Sequence, residues 1–247
     1  MLLTLDIGNT NIKSALFDNN EIKHFQVYNS KENVIDYTKR LNFEAAAICS
    51  VNPATEKILI DKLKESGIPI FCATINLKMN LTIDYQTLET LGMDRVCSAV
   101  GALDLAVNKK IISKNQYLIT IDFGTATTIN VVSPGGKFIG GLIAPGIRTM
   151  IKSLNQNTAQ LPLINLKSYQ GIIGNSTESS IVSGVITSTI GMINETVAKL
   201  KNESNNNPLI FVTGGNSKLM LPYLSYKVFF EEALVLKGLK IIYDLNK

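Results

Sequence analysis

The chain carries one short pattern twice, 116 residues apart: TLDIGNTN at 4–11 and TIDFGTAT at 120–127. Each copy is a short apolar run, then Asp, one apolar residue, Gly, and small hydroxyl or amide side chains. An apolar β-type run ending in Asp and an immediate Gly predicts a strand entering a tight turn. Gly8 and Gly124 tolerate positive φ and let a backbone come close to a ligand. The small residues behind them leave N–H and O–H donors facing the turn, where phosphate oxygens fit. Asp6 and Asp122 would stand at the mouths of the two turns. A carboxylate beside a phosphate repels it unless a cation lies between, so the pattern implies a metal ion. Any β-hairpin can carry Asp-x-Gly, so one copy alone is a weak signal. Two copies in register indicate a duplicated plan.

The duplication also divides the chain. Its 247 residues suffice for two modest domains or one large one, and the offset favours two similar halves, 1–113 and 114–247. Hydrophobic residues make up 45% and charged residues only 18%, which supports well-built cores and argues against disorder. The net charge of +4 is scattered, and the nearest basic cluster, NKKIISK at 108–114, reads as a solvated junction. Such a mild excess suits anionic small molecules and gives no nucleic-acid groove. Cys49, Cys72 and Cys97 form no CxxC and His24 is the single histidine, so a Cys/His zinc site is nearly excluded. Buried thiols in a reducing compartment are expected. His24 is expected on an exposed strand, without a role. The opening MLLTLDIG has no basic leader or cleavage pattern, and no apolar run approaches the ~20 residues that span a bilayer. The expectation is a cytoplasmic protein without membrane attachment.

Hydrophobic spacing predicts strands at 2–6, 11–18 and 21–28, the last two joined by Asn19-Asn20. A helix capped by Ser30 (30–41), a strand (44–51), a helix from Pro53 to Ser66 and a strand (68–73) follow, with a loop over 76–89. The clearest amphipathic helix is 94–108, with Val96, Ala99, Val100, Leu103, Ala106 and Val107 on one face. Strands at 117–122, 127–133 and 137–143 repeat the opening, before a helix near 147–154 and a long one over 176–202 behind a Ser/Thr cap. A strand at 209–212 runs into Thr213-Gly214-Gly215-Asn216, and an extended 228–234 and a helix over 237–245 close the chain. The fold class is α/β, with two halves, each a mixed sheet opened by a three-stranded antiparallel unit and flanked by helices. Glycine-rich turns at strand ends would face a shared cleft, a common setting for ligands.

DIGNTNIK at 6–13, DFGTATT at 122–128 and TGG at 213–215 together resemble the actin/hexokinase/Hsp70-like ATPase superfamily, which implies two actin-like, ribonuclease H-like domains. Further blocks narrow the likeness: LGMDRVCSAVGA (91–102), GGLIAPGI (140–147), TAQLPLI (158–164), GNSTESSIVSG (174–184) and LVLKGL (234–239). In this order, over nearly the whole chain, they resemble type III pantothenate kinases. The resemblance implies ATP-dependent phosphorylation of the terminal hydroxyl of pantothenate, the first committed step toward coenzyme A. It also implies a homodimer that uses Mg²⁺ and a monovalent cation, K⁺ or NH₄⁺.

Matched motif by motif, Asp6, Ile7, Gly8, Asn9, Thr10, Asn11, Ile12 and Lys13 correspond to the family's ATP-phosphate loop, with Asp6 facing Mg²⁺ through water. Gly92, Met93, Asp94 and Arg95 match its substrate motif, in which the Asp is the general base. Arg95 should pair with the substrate carboxylate, which suits guanidinium geometry. Asp122 matches the carboxylate that holds K⁺ or NH₄⁺, and Thr125 an ATP contact. Tyr85 and Thr177 match pantothenate contacts, and Gly214 and Gly215 an adenosine-side loop. Departures are Met93 for a small residue, Leu88 for a frequent Pro and Asn11 for a frequent His. Of these, Met93 would narrow the substrate pocket.

Phosphoryl transfer needs an in-line hydroxyl, charge neutralisation on the phosphates and a proton acceptor, and these residues supply each. An Asp at a helix N-terminus meets a dipole that lowers its basicity, which a loose transition state tolerates. Each residue also has a plainer reading. Asp94-Arg95 could be a helix cap and a first-turn Arg, Lys13 a solvated strand residue, Thr177 a cap and Tyr85 a packing residue. Rival functions are a kinase of another small hydroxylated substrate, such as a sugar or acetate, and a non-enzymatic regulator on the same fold.

Overall fold

The computed structural model describes residues 1–166 and 171–247. The N-terminal run forms strands β1 (Leu2–Ile7), β2 (Ile12–Asp18) and β3 (Glu21–Tyr28), helix α1 (Lys31–Thr38), strand β4 (Ala45–Ser50), helix α2 (Pro53–Lys64) and strand β5 (Ile70–Cys72). A two-residue strand β6 (Thr82–Ile83) and helix α3 (Met93–Asn108) come next. Then follow β7 (Leu118–Phe123), β8 (Ala126–Val132), β9 (Lys137–Pro145), α4 (Ile147–Asn157) and α5 (Thr177–Ser204). The chain closes with β10 (Leu209–Thr213), α6 (Ser217–Met220), β11 (Val228–Phe230) and α7 (Leu234–Asn246). Two compact units result: Met1–Ile112 with Gly135–Gly140 and Ala233–Lys247, and Ser113–Pro134 with Gly141–Glu232.

In the first unit the sheet order is β3-β2-β1-β4-β5, with β1 antiparallel to β2 and parallel to β4. All six residues of β1 are buried, as a central strand covered on both faces requires. Leu3, Leu5 and Ile7 join Val34 of α1 and Leu59 and Leu63 of α2 in one core. Strand alternation sends Thr4 and Asp6 to the other face, where α3 and α7 pack. Those two helices cross closely because glycine stands at both contact points. A Cβ on Gly101 would lie 2.6 Å from the Leu234 carbonyl oxygen, and one on Gly238 would strike the Cys97 carbonyl. This crossing fixes the N-terminus of α3 against the sheet. The start of β9 also belongs to this unit, pairing in parallel with β6: Thr82 opposite Lys137, Ile83 opposite Phe138.

The sheet of the second unit runs β11-β10-β7-β8-β9, with β7 antiparallel to β8 and parallel to β10. Ile119, Ile121, Phe123 and Ile129 pack on Ile147 and Ile151 of α4 and Ile181 and Val185 of α5. The two hairpins are not identical. Ile7 pairs with Ile12, leaving residues 8–11 as the first turn, whereas Phe123 pairs with Thr127, leaving only 124–126. The missing residue shifts the register, so Asp6 faces Lys13 while Asp122 faces Thr128.

Both sheets open with the antiparallel hairpins expected of an α/β fold. Four local expectations change. Helix α7 begins at Leu234, not at 237, because LVLK lacks a helix breaker and buries Leu234, Val235 and Leu236. The 76–89 loop contains β6 and leads into a 3₁₀ turn at Leu88–Thr90. Cys49 and Cys97 are buried, but Cys72 is exposed on edge strand β5. Helix α5 is long and apolar enough to cross a membrane by length and composition, with half of that stretch buried inside the unit. Its interspersed Ser and Thr hide it from a search for uninterrupted apolar runs.

Candidate active site

The first turn is closed by its own backbone. The Gly8 N–H donates to the Asn11 carbonyl at 3.1 Å, and a Cβ on Gly8 would stand 2.9 Å from the same oxygen. Asn9 and Thr10 are exposed at the tip, Asn11 is half-buried, and Ile7 and Ile12 anchor the base in the core. Asp6, buried at 9% exposure, lies opposite the half-buried Lys13.

The substrate-type motif forms the start of α3. Gly92 is the N-cap, with extended backbone, and its carbonyl accepts the Arg95 and Val96 N–H groups at 3.2 and 3.4 Å. Met93, half-buried, is the first helical residue, so Asp94 lies inside the first turn and is not the cap. Its Oδ1 accepts the Arg95 N–H at 2.8 Å. Burial pushes the Asp94 carboxyl above the usual 3.8, outweighing the Arg95 N–H, the charges of Arg95 and Lys13, and its own N–H. The helix-end donors are present, yet desolvation wins, which reverses the lowered basicity expected from the dipole alone.

Arg95 is buried, with its guanidinium carbon 5.8 Å from the Tyr85 ring centre and 5.6 Å from that of Phe138. The two rings are 6.1 Å apart, edge to face. Beneath the acids, the Cys49 thiol hydrogen-bonds with Cys97. That bond, burial, and the charges of Asp6 and Asp94 push the Cys49 pKa well up and keep it a neutral packing group.

The second turn is held from outside as well. The Gly124 N–H donates to the Ala126 carbonyl at 3.0 Å. The Thr125 carbonyl accepts the Gly146 N–H at 2.9 Å and the Thr149 hydroxyl at 2.6 Å. Asn216 donates its backbone N–H to the Phe123 carbonyl at 2.9 Å, and its own Oδ1 accepts Arg148 Nε at 3.1 Å. Gly214 has φ +100, and a Cβ there would run into Asp122 Oδ1 and lie 2.5 Å from the Phe123 nitrogen. Asp122 is half-buried, while Thr125 and Gly215 are exposed. At α5, Ser176 is the cap and shares a reciprocal capping box with Ser179, so Thr177 does not serve as the cap. Thr177 instead lines an open cavity of about 740 Å³ with Pro145, Met150, Leu154, Leu161 and Ile181.

The first unit thus gathers Asp6, Lys13, Tyr85, Asp94 and Arg95. The second holds Asp122, Thr125, Thr177 and the Gly214-Gly215 loop. Sequence reasoning missed Phe138, a strand apolar residue with no signal of its own. It also missed Gly146, Thr149 and Asn216, of which Gly146 and Asn216 lay inside quoted blocks. No group of three or more His, Cys, Asp or Glu gathers among the described residues.

The sequence model of the type III pantothenate kinase family matches residues 2–199. Type III pantothenate kinases of Syntrophus aciditrophicus and Dictyoglomus turgidum are each 30% identical, aligned over 100% of this chain and 100% of theirs. A conserved protein from Campylobacter jejuni, described as a Baf family transcriptional activator, superposes with TM-score 0.64 at 18% identity, covering 98% of this chain and 97% of that one. A ROK family glucokinase from Streptomyces griseus, bound to glucose and AMPPNP, gives TM-score 0.53 at 14% identity, covering 96% and 97%. These structures share the fold, that of the actin/hexokinase-like ATPases.

Proposed function

We infer the role of each residue from one premise: the chain belongs to the type III pantothenate kinase family. It phosphorylates pantothenate with ATP to give 4'-phosphopantothenate, at the start of coenzyme A biosynthesis. The observation that carries the residue assignment is the cluster of Asp94, Lys13 and Arg95 beside the Gly8 turn in one unit.

Asp94 is the general base. It orients the acceptor hydroxyl and takes its proton as that oxygen bonds to the γ-phosphorus and the bond to ADP breaks. Its burial-raised pKa suits a group that must accept a proton late in a loose transition state. The Asn9–Asn11 tip and Lys13 hold the phosphates, and Thr125 and the Gly214-Gly215 loop contact the nucleotide. Arg95 meets the substrate carboxylate, with Tyr85 beside it, and Met93 and Thr177 complete the contacts to pantothenate. A Mg²⁺ would be bound chiefly by phosphate oxygens and water, with Asp6 in its outer layer. Bound there, the ion would neutralise phosphate charge. Asp122, a hard oxygen donor at the second turn, would hold K⁺ or NH₄⁺. The sequence duplication supports two actin-like domains with their main division near 113, as expected for 1–113 and 114–247, but Gly135–Gly140 and Ala233–Lys247 join the first unit.

Exposed apolar side chains in the second unit, Ile143 on β9 and Leu163, Ile172 and Ile173 between α4 and α5, support a homodimer formed beside those two helices. Sedimentation showing a monomer at micromolar concentration would overturn that assignment. Action in the cytoplasm is part of the same proposal. A non-enzymatic regulator is disfavoured because Asp6, Asp94 and Asp122 are all retained. The deciding experiment is a coupled ADP-release assay with purified protein, Mg-ATP, K⁺ and pantothenate, with glucose and acetate as alternative acceptors. Turnover is expected with pantothenate alone; turnover with a sugar or acetate but not pantothenate would refute the assignment.

A further inference from the structure

Phe138 has no polar atom to offer a substrate, yet it stands against the cation that would receive one. Its side chain is fully buried, at 0% exposure, and its ring centre lies 5.6 Å from the Arg95 guanidinium carbon. Tyr85 stands at 5.8 Å from the same carbon. The strand that carries Phe138 also fixes Tyr85. Ile83 pairs with Phe138, and the Asp84 N–H donates to the Phe138 carbonyl at 2.8 Å, one residue before Tyr85. Two residues further along β9, Gly140 adopts φ +111, and a Cβ there would stand 3.4 Å from the Tyr85 ring. Phe138 and Gly140 therefore set where both rings lie.

We propose that Phe138 is a positioning residue for substrate recognition: with Tyr85 it forms a two-ring seat on one side of the Arg95 guanidinium and holds it in the orientation that meets a carboxylate. The proposal rests on the reading above that Arg95 receives the substrate carboxylate. Arginine has many rotamers, and an unsupported guanidinium would lose that freedom on every binding event. Two adjoining rings on one side hold it beforehand through cation–π attraction and packing, while its fork of donors matches a carboxylate. A leucine would fill the core nearly as well but would not present a π face.

The test compares the wild type with Phe138→Leu and Phe138→Tyr on two acceptors: pantothenate and its neutral primary amide. Wild type is expected to favour the carboxylate in kcat/KM. Phe138→Leu should narrow that preference about tenfold, mainly through a higher KM for pantothenate, while Phe138→Tyr, which keeps the ring, should restore it. Phe138→Met, close in volume and ringless, carries the same test if the leucine variant does not fold. A wild type that treats both acceptors alike would overturn the Arg95–carboxylate reading, and the proposal with it. A wild-type preference that survives in Phe138→Leu would overturn the proposal alone. So would an equal loss on both acceptors, the mark of a purely structural residue.

Discussion

A β-carbon on Gly92 would stand 2.5 Å from Oδ1 of Asp94, so the helix cap and the carboxylate two residues on occupy interlocking space. The glycine is needed for room and not for its dihedrals, since its φ of −61 is open to any residue. Gly92→Ala should therefore push the carboxylate out of line while α3 still forms. We expect kcat to fall at least ~10-fold, as displaced catalytic groups do. Circular dichroism should remain close to wild type, and unchanged turnover would show that the carboxylate need not sit there.

Asp94→Asn should lower kcat by at least ~10²-fold while ATP binding survives. The same substitution should raise stability at neutral pH. Folded Asp94 titrates above its ordinary 3.8, so the folded protein binds more protons than the unfolded chain between the two values. Stability is thus lost as pH rises through that window and stays lower above it. Thermal melts should show a higher Tm for the variant at pH 7, with the gain vanishing below about pH 3.8.

The charge of Lys13 holds the Asp94 pKa down against burial. Lys13→Met should therefore shift the acid limb of kcat/KM to higher pH, in addition to raising KM for ATP. Full pH–rate profiles of both proteins would check this. An acid limb that stays put or moves to lower pH would place Lys13 out of range of the base.

Activity should depend on K⁺ or NH₄⁺, and Asp122→Asn should abolish the dependence along with most of the activity. Gly214→Ala should act in the same direction. Its Cβ has no space beside Asp122, and φ +100 strains any L side chain, for a destabilisation of about 2 kcal/mol or more. Full turnover in a carefully desalted, Na⁺-only assay would argue against a cation role for Asp122.

The primary sequence alone determined the chemistry present and its order along the chain. The apolar–Asp–x–Gly pattern identified both hairpins, because a central strand must be apolar and the turn after it must be small. The 3.6-residue spacing over 94–108 identified α3, because one face of that helix is buried. The family blocks pointed to Asp94 and Arg95 without any coordinates. What the tertiary structure alone decided concerns contacts between residues far apart in sequence, and the balance of opposing local effects. One fewer turn residue gives Asp122 a threonine opposite, where Asp6 has Lys13. The glycines of the α3–α7 crossing are 137 residues apart (238 − 101), and neither signals its partner. Phe138 reads as ordinary strand filler until β9 delivers it to Arg95. The sign of the Asp94 shift depends on how much water the fold removes, and desolvation is a property of the packed protein, not of any segment of it.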